Sequence, residues 1–306
     1  MKFTERKIMS FSLGANALLA LCGLYFGYTA HSSAILIDGM YSTLLTVMSF
    51  LSLGVIYLLK KPVSKSHPFG YASYEPLINL FRGLLIVMVI LFGMSESIHS
   101  LSEGGNIPDF TASMYYFVLC MSGCVIAYIV VLIGSKKIPS PILKVETTNW
   151  LMDTLLTAGM GVSFLVASFL KDTYPEIISY VDPIITIILM LSILKMPYKT
   201  IKESVSELVL MEASEEITDR VHSILKRHES TDEVVTHQKS VTKTGREVYI
   251  LLVILLNKKT KISIENQLFN SVEKQDHFRA ELYKELKDIS ESLKLDVSFT
   301  YDKRWL

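Results

Sequence analysis

Apolar residues run along this chain in six long blocks, and after the sixth the pattern changes. The blocks fall at roughly 9–30, 34–58, 77–100, 111–134, 147–170 and 177–196. A helix needs about 20 mostly apolar residues to cross the hydrocarbon core of a bilayer, and each block has that length. The first follows a charged start containing Lys2, Glu5, Arg6 and Lys7, as a secretory signal would. Its apolar run is too long for a signal and no small-residue cleavage site follows, so it reads as a retained helix.

From about Ser204 the periodicity is that of a water-soluble domain. Ser214 is placed to start a helix with Glu215 and Glu216 in its first turn, where carboxylates favour the positive end of the dipole. Ile217, Val221 and Ile224 mark one apolar face of that helix. Two β-rich runs follow at 233–242 and 247–256, joined by a hairpin loop at Lys243-Thr244-Gly245-Arg246. The run from Val248 to Leu256 is too short to cross a bilayer and reads as a buried central strand. A long polar helix over about 264–293 and an alternating strand through Val297, Phe299 and Tyr301 complete an αββαβ order, which suits a small two-layer α+β domain. The expected organisation is a six-helix membrane domain over 1–203 and a cytoplasmic α+β domain over 204–306.

Composition and charge sharpen this division. The chain has 306 residues, half of them hydrophobic and 20% charged. Of its charged residues, 24 lie in the first 200 positions and 36 in the last 106. With 30 basic against 30 acidic residues, nothing favours a nucleic-acid partner. Cys22, Cys120 and Cys124 all fall inside apolar runs and make no disulfide framework. Basic residues cluster before helix 1 (Lys2, Arg6, Lys7), after helix 2 (Lys60, Lys61, Lys65), between helices 4 and 5 (Lys136, Lys137, Lys144) and after helix 6 (Lys195, Lys199, Lys202). The alternate loops hold Lys171 alongside Glu103, Asp109, Asp172 and Glu176. The positive-inside rule then puts both termini in the cytoplasm.

Ionisable groups inside apolar helices are costly, at least about 2.5–3.5 kcal/mol on insertion scales, so each is a functional candidate. Asp38 sits near the start of helix 2 and Asp153 within helix 5. Each has an oxygen-bearing partner one turn away on the same face, Ser42 after Asp38 and Asn149 before Asp153. If helices 2 and 5 face each other, these four side chains can surround one ion. The plainer alternative is a pair of interhelical hydrogen-bond clusters with protonated aspartates, and the matched spacing of two aspartates favours the ion site.

The ordered set of these features resembles the cation diffusion facilitator family. That family carries two such pairs on helices 2 and 5, a His-Pro-Phe-Gly-like loop before helix 3, matched here by His67-Pro68-Phe69-Gly70, and an Asp-Pro at the start of helix 6, matched by Asp182-Pro183. A soluble tail of this αββαβ kind also belongs to the resemblance, which implies a homodimer with paired tails. Ser42 stands where the family normally has Asp, Asn149 where His is frequent, and Tyr71 where zinc-transporting members have a second histidine. The tail lacks the family's zinc-binding histidines, with His237 at the one plausible ligand position. Lone histidines are usually hydrogen-bonded or solvated, so His67 is a secondary candidate and His237 a structural one.

The ligand set Asp38, Ser42, Asn149 and Asp153 offers oxygen alone, which suits Mn²⁺, Mg²⁺ or Fe²⁺ better than Zn²⁺. Two carboxylates neutralise one divalent ion, and two protons would replace it when it leaves. The expected function is therefore proton-coupled export of a divalent cation from a bacterial inner (cell) membrane, with no tightly bound cofactor. A Na⁺/H⁺ antiporter on the same scaffold and a non-transporting membrane sensor or partner subunit are the alternatives. No nucleophile elbow, HExxH or Walker loop supports an enzyme. Glu146, one turn before Asn149, is either an acidic entrance or a solvated helix start. Arg82, inside helix 3, either snorkels to the cytoplasmic surface or pairs with a buried carboxylate such as Asp38. Cys120 and Cys124 share a face of helix 4 and read as packing, as does the GxxxG at Gly23 to Gly27.

Overall fold

A computed structural model describes residues 4–29, 33–105, 110–170, 178–228, 234–257, 271–290 and 292–305. It divides into two compact units, Met1–Ser204 and Val205–Leu306. Loop residues Asp109, Lys171, Asp172 and Glu176, and positions 264–270 of the expected long polar helix, lie outside the described residues.

The first unit is built from α1 (Glu5–Thr29), α2 (Ser33–Leu58), α3 (Tyr74–Ser102), α4 (Phe110–Lys137), α5 (Pro141–Leu170) and α6 (Ile178–Ile193). A further helix, α7 (Lys195–Leu208), follows α6 after a single residue and was not expected from the apolar pattern. Five stretches among the described residues are long and apolar enough to cross a membrane. They lie in α1, α2, α3, α4 and the α6–α7 run. α5 carries Lys144 and Glu146 in its first two turns and Asp153 further along. It also begins six residues earlier than expected. Ser140 Oγ accepts from Leu143 N at 3.2 Å, and Pro141 fills the first helical position, where its missing N–H costs nothing. That earlier start puts Glu146 in the second turn of a helix. Pro183 falls inside α6, five residues past its first residue Ile178, and not at the helix start.

Backbone contact sets the crossing of α1 and α2. A Cβ built on Gly23 would lie 2.5 Å from Gly39 Cα, and one on Gly39 would lie 2.5 Å from Leu24 N. Only glycine permits such an approach, so the helices are locked at the residue next to Asp38. Apolar clusters fill the interior elsewhere. Ile8, Ile35, Tyr116, Cys120, Cys124, Val131, Leu143 and Trp150 form one of them. Cys120 and Cys124, both buried, pack within this cluster on α4.

In the second unit, α8 (Glu215–His228), β1 (Val234–Thr244), β2 (Glu247–Leu256), α9 (Val272–Leu286) and β3 (Ser292–Thr300) follow the expected αββαβ order. β2 is central, antiparallel to β1 and parallel to β3. The hairpin is tighter than expected: Thr244 pairs with Glu247, which leaves a two-residue loop whose Gly245 takes φ +59°. Val248, Ile250, Leu252, Ile254 and Leu256 alternate along β2 onto one face, where Val221 and Leu225 of α8 and Leu282 and Leu286 of α9 cover them. The polar helix ends well before 293. A 3₁₀ turn spans Lys287–Ile289, and the chain is already extended at Ser292, so Tyr301 lies past the strand rather than in it. Leu293 and Val297, both buried, make the earlier strand start worthwhile.

Gly23→Ala should overpack the α1–α2 crossing and cost about 1–3 kcal/mol, read as a lowered melting temperature of the detergent-purified chain. Gly54→Ala, where nothing lies within 4 Å, should leave it unchanged or raised. Equal behaviour of the two variants would remove the close crossing.

Candidate metal centre and a buried ion pair

Asp38 lies in the second turn of α2, held from two sides. The Gly23–Gly39 contact fixes its backbone, and the hydroxyl of Tyr116, from α4, donates to its Oδ2. Tyr116 is itself buried. Ser42, one turn further on, is half-buried. Neighbouring hydroxyls are already engaged: Thr43 Oγ1 donates to Gly39 O at 2.9 Å, and Thr46 Oγ1 to Ser42 O at 2.8 Å.

On α5, Asn149 and Asp153 line one pocket together with Glu146 and Trp150 of the same helix. Asn16 of α1, Leu45 and Ser49 of α2, and Arg82 of α3 complete its wall. Asp38 and Ser42 do not line that pocket, but Asp38 is within electrostatic reach of Asp153. Tyr41 of α2 lies among the same charges, feeling Asp153, Asp38, Arg82 and Glu146. Asp38 and Asp153 thus feel each other's charge, Asp153 from inside the pocket and Asp38 from outside it, with Tyr116 attached to Asp38.

A buried ion pair lies in the same region. Arg82 and Glu146 are each 1% exposed and form an ion pair through Arg82 Nη1 and Glu146 Oε2. Arg82 Nη2 also donates to Ser52 Oγ at 2.9 Å. Glu146 Oε1 accepts from Ser12 Oγ and, at 3.4 Å, from Ser49 Oγ. Trp150 Nε1 donates to Ser12 Oγ at 2.7 Å, and Asn16 Nδ2 to Ser49 Oγ at 3.1 Å. Arg82 therefore does not snorkel to a surface but pairs with a buried carboxylate, the second of its two expected readings, with Glu146 rather than Asp38 as the partner. Glu146 is neither a solvated helix start nor an open acidic entrance. Two charges buried in low dielectric must be paired and hydrogen-bonded, and helices α1, α2, α3 and α5 all contribute to doing so.

His67 sits in the loop between α2 and α3, stacked on Tyr71 with ring centroids 4.4 Å apart, its Nε2 3.2 Å from Tyr74 Oη. Gly70 N donates back to His67 O at 3.0 Å, with Gly70 at φ +88°, so the His-Pro-Phe-Gly segment is a tight turn. His237 lies on β1 opposite Ile254. Among the described residues no group of three or more His, Cys, Asp and Glu side chains could hold a metal ion.

The residues missed by spacing alone are Tyr116, Ser12, Ser49 and Ser52. Ser12 with Asn16, and Ser49 with Ser52, do stand at helical-neighbour spacing inside apolar runs, the signal that picked out Asp38 and Asp153. A double-mutant cycle of Tyr116→Phe with Asp38→Asn should give a coupling of about 1–3 kcal/mol in thermal unfolding, because the phenol donates to a half-buried carboxyl. Additive effects would detach Tyr116 from Asp38.

Known proteins resemble this chain over most of its helical unit. The family described as Cation efflux transmembrane domain matches residues 9–209. The chain is 27% identical over 210 residues to manganese efflux system protein MneP of Bacillus subtilis (strain 168), covering 69% of this chain and 70% of that one. It is 25% identical over 199 residues to manganese efflux system protein MneS of the same organism, covering 63% and 64%. Protein p34 of Rickettsia prowazekii (strain Madrid E) is 23% identical over 226 residues, 72% of each chain. The match takes in every helix that carries the buried carboxylates, and the chain is an integral membrane protein of the cation efflux, or cation diffusion facilitator, family.

Proposed function

We propose that this protein exports a divalent metal cation, Mn²⁺ foremost, in exchange for protons, with Asp38 and Asp153 as the carboxylates that hold it. The observation that carries the reading is the charge of the α2–α5 region. Arg82 and Glu146 cancel each other, so the two aspartates are what remains to be neutralised. One divalent ion does this, whereas one sodium ion leaves a negative charge buried. Ser42 and Asn149 supply neutral oxygens beside the carboxylates, and a donor set made of oxygen alone suits Mn²⁺, Mg²⁺ or Fe²⁺ better than Zn²⁺. The manganese efflux relatives add weight to Mn²⁺ among these.

Proton coupling follows from the same electrostatics. When the ion leaves, two bare carboxylates within reach of one another in an apolar interior are unfavourable, and protons replace it. Tyr116 keeps Asp38 oriented in both conditions through its hydroxyl. The site then passes between the two faces of the membrane by rocking of the helices around it, the two aspartates staying with their cargo. In this reading both termini face the cytoplasm of a bacterial cell, and the chain works as a homodimer.

In reconstituted vesicles, Mn²⁺ uptake should quicken when the lumen is acidic, because protons leave as the metal enters, and a proton-exchanging ionophore should remove the acceleration. Asp153→Ala and Asp38→Ala should each abolish the flux. Full flux in Asp153→Ala, or sodium-driven flux that a metal chelator leaves untouched, would end this reading.

A further inference from the structure

The pocket that holds Asn149 and Asp153 also holds a charge pair that the proposed ligand set leaves unused. Glu146, Asn149 and Asp153 stand three and four residues apart on α5, so one stripe of the helix carries all three into that pocket. Glu146 and Asp153 are separated by about 10 Å along the helix axis. The two oxygens of Glu146 keep different company. Oε1 is fixed by the hydroxyls of Ser12 and Ser49, and Ser12 is held in turn by the Trp150 indole. Oε2 takes Arg82. The guanidinium is incompletely satisfied there: Nη2 reaches Ser52, but the buried Nε has no hydrogen-bond partner among the described residues.

Resting on the export reading above, we propose that Glu146 is a relay site for the exported cation and that Arg82 is its resident counter-ion, displaced as the cation moves along α5 toward Asp153. Arg82 at Oε2 keeps the carboxylate neutral while no metal is present, and its positive charge opposes a divalent ion at Asp153 in the same pocket. An arriving ion takes Oε2, while Ser12 and Ser49 keep Oε1 where it is. The orphaned Nε means that Arg82 gives up an imperfect set of bonds when it moves, unlike a fully satisfied structural pair. The cation, once handed to Asp153, frees Oε2 for Arg82 again, which closes the route behind it.

The two halves of the pair then act in opposite directions, and this separates a relay from a brace. Initial rates of Mn²⁺ uptake by the full chain in vesicles give KM for each variant. Arg82→Gln removes the competitor and should lower the apparent KM about tenfold; Glu146→Gln removes the relay carboxylate and should raise it about tenfold. Arg82→Lys, which keeps the charge, should stay near the unmutated value. A pair that only ties helices together would shift both truncations the same way or leave KM unmoved. Either result, with Asp153→Ala still abolishing flux, overturns the relay and leaves the export reading standing. No metal flux in the unmutated chain overturns both. Should the single truncations not fold, Glu146→Asp carries the test, because it keeps the charge beside Arg82 and shortens the relay arm by one methylene: a raised KM in folded protein is expected, and an unchanged KM overturns the relay.

Discussion

A charge taken out of water and left alone costs several kcal/mol even after the protein relaxes, and the helical unit is arranged around that cost. Arg82 and Glu146 meet its full weight, being almost wholly buried. Neither is tolerable without the other, and neither is satisfied by the other alone. Hydroxyls from Ser12, Ser49 and Ser52 and the indole of Trp150 complete the set, so the pair draws α1, α2, α3 and α5 to one point. Apolar helices in lipid have little hydrophobic reason to prefer one neighbour over another. A polar network of this kind, together with the glycine contact of α1 on α2, supplies the specificity that Leu and Ile cannot.

Those two constraints also explain where the aspartates stand. Gly39 fixes the backbone beside Asp38 against α1, and Tyr116 takes up its Oδ2 from α4. Asp153 lies two turns along α5 from Glu146, so the network that anchors the start of α5 sets the depth and rotation of everything further along it. The positions of both aspartates thus follow from side chains contributed by other parts of the helical unit. With one charge pair already neutral, the proposed function takes the two aspartates as the place for two positive charges, whether a divalent ion or a pair of protons.

Much of this was legible along the chain, for reasons that differ by element. The apolar blocks and the alternation from Val248 to Leu256 are local patterns, and the corresponding helices and central strand follow from them. Asp38 and Asp153 stood out because a carboxylate in an apolar run needs a reason. The Arg82–Glu146 pair could not be read in the same way, because its members are 64 residues apart and any buried acid could have been chosen as the partner. Tyr116 and Asp38 are 78 residues apart and were missed for the same cause. The late start assigned to α5 is another matter. Lys144 and Glu146 look like loop residues when counted by hydropathy, although Ser140-Pro141 is a helix-start signal that was there to be used. The overlong polar helix before β3 reflects the weakness of propensity where no apolar face marks the end.

Export of the proposed kind requires that a single cation be shared by Asp38 and Asp153. Crystals of the full chain grown with Mn²⁺ and measured at the manganese absorption edge test this directly. One anomalous-scattering peak should lie between the two carboxyl groups, within about 2.0–2.3 Å of an oxygen from each. A peak bound elsewhere, or carboxyl groups too far apart to share an ion in the metal-loaded protein, would contradict it.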